Sequence, residues 1–191
     1  LAQGIGSVRA AAVQARLSSH VLQVAAEATR HSHRGEGPAA ELVLAVSGLG
    51  PQAARRWGQR LGAERTVLQG GGGLGLRLQR QLQRGLREGA AAVVLIGSDL
   101  PELAVPDLIQ ALELMRAHPL VLGPAVDGGY WLIGLGGHWP ALFAGADQAI
   151  PWGSDRVLSQ TLAVAGQLGL RPAWLPLRSD LDQPADLERW R

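Results

Sequence analysis

Ala92-Val93-Val94-Leu95-Ile96-Gly97-Ser98-Asp99-Leu100-Pro101 is the stretch that decides the fold class. An apolar run without polar alternation is the pattern of a parallel strand covered on both faces. Gly97 and Pro101 then break it. Apolar residues recur at helical spacing on both sides of this run, over 74–88 and 105–117. A fully apolar strand between two helices is the signature of an α/β chain.

Further upstream, Val13, Leu17, Val21, Leu22, Val24 and Ala28 mark an amphipathic helix over 8–30, followed by a polar loop over 31–38. Residues 42–46 read as a buried strand, 47–51 as a turn, 52–61 as a helix and 66–69 as a strand that runs into four glycines. Downstream come a strand over 120–123, the turn Asp127-Gly128-Gly129 and a returning strand over 130–135. A short helical piece around Ala141, a loop holding Pro151 and Trp152, a helix over 155–168 and a strand over 173–177 follow. Pro184 and the acids near it suit the first turn of a closing helix within 180–190. This alternation predicts a three-layer α/β sandwich with a mostly parallel central sheet, built as one domain over 1–191.

Composition excludes several chemistries. The chain is 47% apolar and 18% charged, which suits a packed core rather than a disordered segment. All 18 basic residues are Arg, so neither a Schiff-base lysine nor a complete Walker loop is available. The net charge is only +2 and the arginines are scattered, so no nucleic-acid partner is expected. Without Cys there is no disulfide, thiolate nucleophile or thiolate zinc site. No apolar run reaches the roughly 20 residues of a membrane span. A cytoplasmic protein with no membrane association is the expectation. The opening Leu1-Ala2-Gln3-Gly4 lacks Met and leads almost directly into a helix, leaving room for upstream sequence.

In an open α/β sheet, ligands gather beyond the carboxyl ends of the strands. Asp99 lies just past the most apolar strand, and Asp127 ends the next one beside two glycines. Two carboxylates on neighbouring strand ends could share Mg²⁺ or Mn²⁺, hard ions that offset the charge of a diphosphate. Each acid also has a plainer reading, Asp99 as the cap of the next helix and Asp127 as an Asp-Gly hairpin turn. The pairing carries the proposal.

Gly70, Gly72 and Gly75 also fit G-x-G-x-x-G between a strand and a helix, with Asp99 after the next strand, a pattern shared with dinucleotide sites. A flexible turn explains the same glycines. His31 and His33 form an H-x-H pair without further ligands nearby and read as loop residues. Trp152 could stack on a base or sugar, although core packing is the simpler role for a large aromatic. Ser154 reads as a helix N-cap. No G-x-S-x-G elbow is present.

Three blocks together carry a resemblance: Gly97-Ser98-Asp99-Leu100-Pro101, residues 122–135 with Asp127-Gly128-Gly129-Tyr130-Trp131, and Ile150-Pro151-Trp152. With Asp180-Leu181-Asp182-Gln183-Pro184, they resemble the selenodomain-associated transferase family, which has the glycosyltransferase A (GT-A) fold of nucleotide-diphospho-sugar transferases. Residues 1–6 resemble the family's segment just after its nucleotide-binding loop. The family's first strand and that loop have no counterpart here, which would leave a gap in the sheet. Residues 72–77 keep only Leu74, Gly75 and Arg77 of the family's acidic pattern, and Gly153 replaces a hydroxyl residue.

The resemblance implies a metal-dependent glycosyl or nucleotidyl transferase using a nucleotide or nucleotide sugar. Asp99 and Asp127 would be catalytic residues and the ligands of Mg²⁺ or Mn²⁺. Arg77, Gly128, Gly129, Tyr130 and Trp152 would contact substrate. Two alternatives stay open, a catalytically silent remnant or interaction module of the same fold and a dinucleotide-dependent oxidoreductase. Oligomeric state, donor and acceptor are not legible.

Overall fold

The computed structural model describes residues 4, 6–34, 39–144, 150–179 and 181. The elements are α1 (Ser7–His33), β1 (Val43–Val46), α2 (Pro51–Arg60), β2 (Arg65–Leu68), α3 (Leu74–Arg87) and β3 (Val93–Ile96). They continue as α4 (Val105–Leu114), β4 (Leu120–Pro124), β5 (Tyr130–Leu135), α5 (Ala141–Ala144), α6 (Val157–Gln167) and β6 (Ala173–Trp174). The closing helix expected within 180–190 falls outside the described residues.

Helices start where local chemistry permits. Pro51 occupies the first turn of α2, where its missing N–H costs nothing. Ahead of α4, Asp107 Oδ2 accepts the Ala104 N–H at 3.0 Å, which is half of a capping box because Ala104 has no side-chain oxygen to complete it. α1 continues through the stretch expected to be a loop, so His31 and His33 are helical.

The strands form two sheets, β1-β2 and β3-β5-β4-β6. β1 and β2 are parallel, in register from Val43 opposite Arg65 to Val46 opposite Leu68. β5 is antiparallel to both β3 and β4, and β4 is parallel to β6. In the four-stranded sheet only β5 therefore runs against the rest. β6 keeps just two residues of the expected strand, because Pro172 and Pro176 bracket it and neither can donate to a ladder.

Three layers result. Val21, Ala25 and Ala28 of α1 pack with Leu108 and Ala111 of α4 over Val94, Ile96, Val121 and Leu132. On the other face, Leu78, Leu82 and Leu86 of α3 join α5 and α6 over Val93, Leu95, Leu120, Leu122 and Ile133. Burial is complete at β4 and β5, where Leu120, Val121, Leu122 and Leu132 have no exposed surface. At about 1.5–3 kcal/mol for each large aliphatic side chain, this hairpin dominates the core. β3 departs from its reading as a fully covered central strand. It has one ladder, to β5, and all four of its residues are only half-buried.

Candidate active site

The β4-β5 connection is a tight hairpin. Ala125 N–H donates to Gly129 O (3.1 Å), Gly128 N–H to Ala125 O (3.2 Å) and Gly129 N–H to Asp127 Oδ1 (2.8 Å). Asp127 is thus the turn residue of the plainer reading, its side chain mimicking a backbone acceptor. The same turn leaves its carboxylate exposed at the carboxyl end of β4. Gly128 has φ +87°, and a Cβ there would lie 2.1 Å from the Asp155 carbonyl oxygen. Its own carbonyl accepts the Leu158 N–H at 2.9 Å, which fastens the hairpin to the start of α6.

At the end of β3, Gly97 N–H donates to Trp131 O at 3.1 Å, and Gln14 of α1 donates through Nε2 to Ser98 Oγ at 3.1 Å. Asp99 follows, half-buried, its backbone carbonyl accepting the Leu181 N–H at 3.0 Å. Its carboxylate folds back over Gly97, where a Cβ would stand 2.6 Å from Asp99 Oδ1. Asp99 does not cap α4, since Ala104 and Asp107 fill that role.

Asp99 and Asp127 therefore lie at the same end of one sheet, but β3 and β4 are not neighbours, as the sequence reading assumed. β5 separates them. Two strand spacings amount to about 9.6 Å, whereas oxygens bound to one Mg²⁺ or Ca²⁺ each stand about 2.0–2.6 Å from it. Sharing an ion requires both side chains to lean across the mouth of β5. Two carboxylates provide the hard oxygens such ions select. Among the described residues no group of three or more His, Asp or Glu is placed to hold a metal, so donor phosphates and water would have to complete the shell.

Of the remaining expected residues, Tyr130 and Trp152 lie together with the start of α3. Gly75, in the first turn of α3, lies against Trp152, and a Cβ there would meet Trp152 Nε1 and the Phe143 carbonyl, both at 2.6 Å. Trp152 packs edge-on against Tyr130, ring centroids 6.4 Å apart. Trp152 is half-buried. The Tyr130 hydroxyl faces Thr161, yet neither oxygen completes a hydrogen bond of good geometry. Burial holds the Tyr130 phenol well above its ordinary pKa, and the Thr161 hydroxyl offsets this only in part. Arg77 reaches Gln69 Oε1 through Nη1 at 3.4 Å, while its Nε is buried without a partner.

Arg80 was invisible as a site feature in the sequence. Its guanidinium donates to Gln69 O and to Gly71 O, occupying the concave side of the glycine run. Ser154 is a turn residue rather than a cap, donating to Pro151 O at 2.8 Å, while Arg156 holds the cap position of α6. A separate groove of about 410 Å³ lies along α2 and the end of β1, lined by Val46, Ser47, Leu49, Arg56, Trp57 and Arg60 among others. None of the expected site residues lines it.

Residues 32–154 match the family described as "uncharacterized protein conserved in bacteria (DUF2064)". The chain belongs to this family. No curated protein matches it. Among solved structures, it resembles a candidate nucleotide-diphospho-sugar transferase from Desulfovibrio desulfuricans G20, at 26% identity and a TM-score of 0.77 over 96% of this chain and 74% of that one. It also resembles Rv0371c from Mycobacterium tuberculosis H37Rv, at 20% identity and a TM-score of 0.52 over 85% and 81% of the two chains. The latter protein has also been solved in complex with manganese, in a form matched at 20% identity and a TM-score of 0.49. The DUF2064 chain thus has the nucleotide-diphospho-sugar transferase type of α/β fold. No helix among its described residues is long and apolar enough to cross a membrane.

Proposed function

We propose that this DUF2064 chain is a metal-dependent transferase for a nucleotide-activated donor such as a nucleoside diphosphate sugar, acting in the cytoplasm as a single domain. The narrower kinship with the selenodomain-associated transferases belongs to the same proposal. One arrangement carries it: β3 and β4 open at the same end of their sheet, each followed by an acid, beside the start of α3 and the Tyr130–Trp152 wall. Carboxyl ends of strands are where α/β sheets bind ligands.

In this reading Asp99 and Asp127 hold Mg²⁺ or Mn²⁺, which supplies positive charge against the diphosphate as the donor bond breaks. The protein's own groups do the positioning. Gly97 gives the Asp99 carboxylate room, and the Gly129 N–H orients that of Asp127. Arg77 offers a guanidinium fork to phosphate oxygens. Gly128 and Gly129 let the hairpin backbone approach substrate, and Trp152, backed by Tyr130, presents an indole for a base or sugar. Transfer of a glycosyl or of a nucleotidyl group is compatible with the same layout.

The silent-remnant reading has one observation in its favour, the separation of β1-β2 from the four-stranded sheet. The oxidoreductase reading leaves the block from Asp127 to Leu135 without a role. A thermal-shift screen of nucleoside diphosphates and nucleotide sugars, with and without Mn²⁺, separates them. Ligand at a hundred times its Kd adds about 2.7 kcal/mol, or roughly 5–11 °C in Tm for a chain this size. The shift is expected only with metal and nucleotide together, and to vanish in Asp99→Asn and Asp127→Asn. A metal-independent shift, no shift, or a shift both variants retain would defeat the proposal.

A further inference from the structure

The chain that follows β6 is bonded across the end of the sheet where Asp99 and Asp127 lie. β6 is parallel to β4, and β3 and β4 both run against β5, so all three strands open at that end. Leu175 N–H donates to Leu122 O at 2.9 Å and Arg178 N–H to Pro124 O at 3.1 Å, while Arg178 O accepts the Val126 N–H at 3.0 Å. Between these, Pro176 O accepts the indole N–H of Trp131, at the start of β5, at 3.1 Å. Leu181 N–H then donates to Asp99 O at 3.0 Å, beyond β3. One segment is therefore bonded to the residue before Asp127 and to Asp99 itself.

Only two residues stand between Arg178 and Leu181, and three peptide steps reach at most about 10–11 Å. With so short a tether, the place where Arg178 sits limits how far apart the two acids can stand. That place is set by α4. Arg178 Nη2 donates to Asp107 Oδ1 at 2.7 Å, and Glu102 Oε2 lies 3.9 Å from Nη1. Asp107 is 5% exposed, and its other oxygen holds the Ala104 N–H ahead of α4. Both carboxylate oxygens are committed, which fixes the direction from which the guanidinium is held.

Desolvation largely offsets the attraction within a buried ion pair, so apolar side chains of similar size would serve stability as well. The charged pair supplies position instead. It ties the helix that follows the Asp99 loop to the segment that holds the Asp127 hairpin.

We propose that Arg178 is a positioning residue for the acidic pair: anchored on Asp107, it fixes the segment bonded to both strand ends and so keeps the Asp99 and Asp127 carboxylates at a separation that one cation bridges. It acts through the backbone, without touching the ion. The inference rests on the transferase reading of these two acids.

The test first measures the separation without metal. The chain has no Cys, so nitroxides on Ser98→Cys and Val126→Cys, both at exposed positions beside the acids, report it by double electron–electron resonance. Four backgrounds are compared: the unaltered chain, Arg178→Lys, Arg178→Met, and Arg178→Met combined with Asp107→Asn. The last leaves no carboxylate stranded and keeps an oxygen for the Ala104 N–H, so it folds even where Arg178→Met alone does not, and circular dichroism checks each. A narrow distance distribution is expected with Arg178 and with Lys, which keeps a cation for Asp107, and a broadened one in the folded Met variants. Calorimetry on the unlabelled backgrounds, at a temperature where each is folded, then reads Mn²⁺ affinity, which is expected to fall at least about ten-fold in the Met variants and to recover with Lys. An unchanged distribution overturns the proposal, and so does a broadened one with unchanged Mn²⁺ affinity; in both cases the transferase reading stands, since the unaltered chain still binds Mn²⁺. No Mn²⁺ binding by the unaltered chain defeats that reading, and the positioning role with it.

Discussion

Replacing Gly128 by Ala tests whether the hairpin that carries Asp127 is held by backbone contact with the loop before α6. Two independent penalties apply. The φ of +87° puts any residue with a Cβ in the left-handed region, at about 1–2 kcal/mol. The new Cβ would also lie 2.1 Å from the Asp155 carbonyl oxygen. Because the obstacle is backbone, no rotamer change relieves it. Overpacking of this kind costs about 1–3 kcal/mol, and moving the loop strains the Leu158 N–H bond to Gly128 O, worth about 1 kcal/mol more. The sum is about 3–6 kcal/mol, a large part of the roughly 5–15 kcal/mol that holds a typical domain together. Tm is expected to fall by at least about 6 °C. Gly153→Ala is the control: φ is +84° there too, but nothing lies within 4 Å of the added Cβ. It is expected to lose only the backbone part, about 1–2 kcal/mol. Urea melts of both variants give the comparison, and equal midpoints would refute the claim that close approach, rather than φ alone, demands glycine at 128.

Gly97→Ala is expected to behave in the opposite way, because the atom its Cβ meets is the tip of the flexible Asp99 side chain. Stability should change by less than about 1 kcal/mol while Mn²⁺ affinity, followed by calorimetry, weakens at least about ten-fold, the equivalent of one misplaced ligand contact; unaltered affinity would remove Asp99 from the proposed metal site. Tyr130 is the only tyrosine, so tyrosinate absorbance reports on it alone. Its folded pKa is raised, so its neutral form adds stability that is intact below the unfolded value near 10 and is lost as pH rises toward the higher folded value. No tyrosinate signal is expected near pH 10 in the folded chain, with Tm declining only above that pH; an ordinary titration of native protein would show that the hydroxyl is not buried.

Much of the architecture was legible because apolar periodicity and Gly/Pro punctuation are local. The strand Tyr130–Leu135 and the start of α3 at Leu74 fall where the pattern placed them. α1 overran its expected end because the polarity of residues 31–33 reads as a loop, whereas Ser32 is buried in the helix and its Oγ accepts the Ala40 N–H. Asp127 was recognisable both as a turn residue and as a site candidate; the structure shows the turn and leaves the residue exposed. Arg80 could not be singled out among the eighteen basic residues, since its importance comes from carbonyls in a glycine run that no spacing rule marks.

The amino-acid order by itself determined where most of the described strands and helices lie and that Asp99 and Asp127 follow strands, since those properties depend on neighbours a few residues apart. Only the tertiary structure decided that β5 inserts between β3 and β4, that β3 is a half-buried edge and that Gly128 abuts Asp155. A strand's hydrogen bonds run sideways to partners distant in the chain, and an apolar run reads the same whether one edge is paired or two.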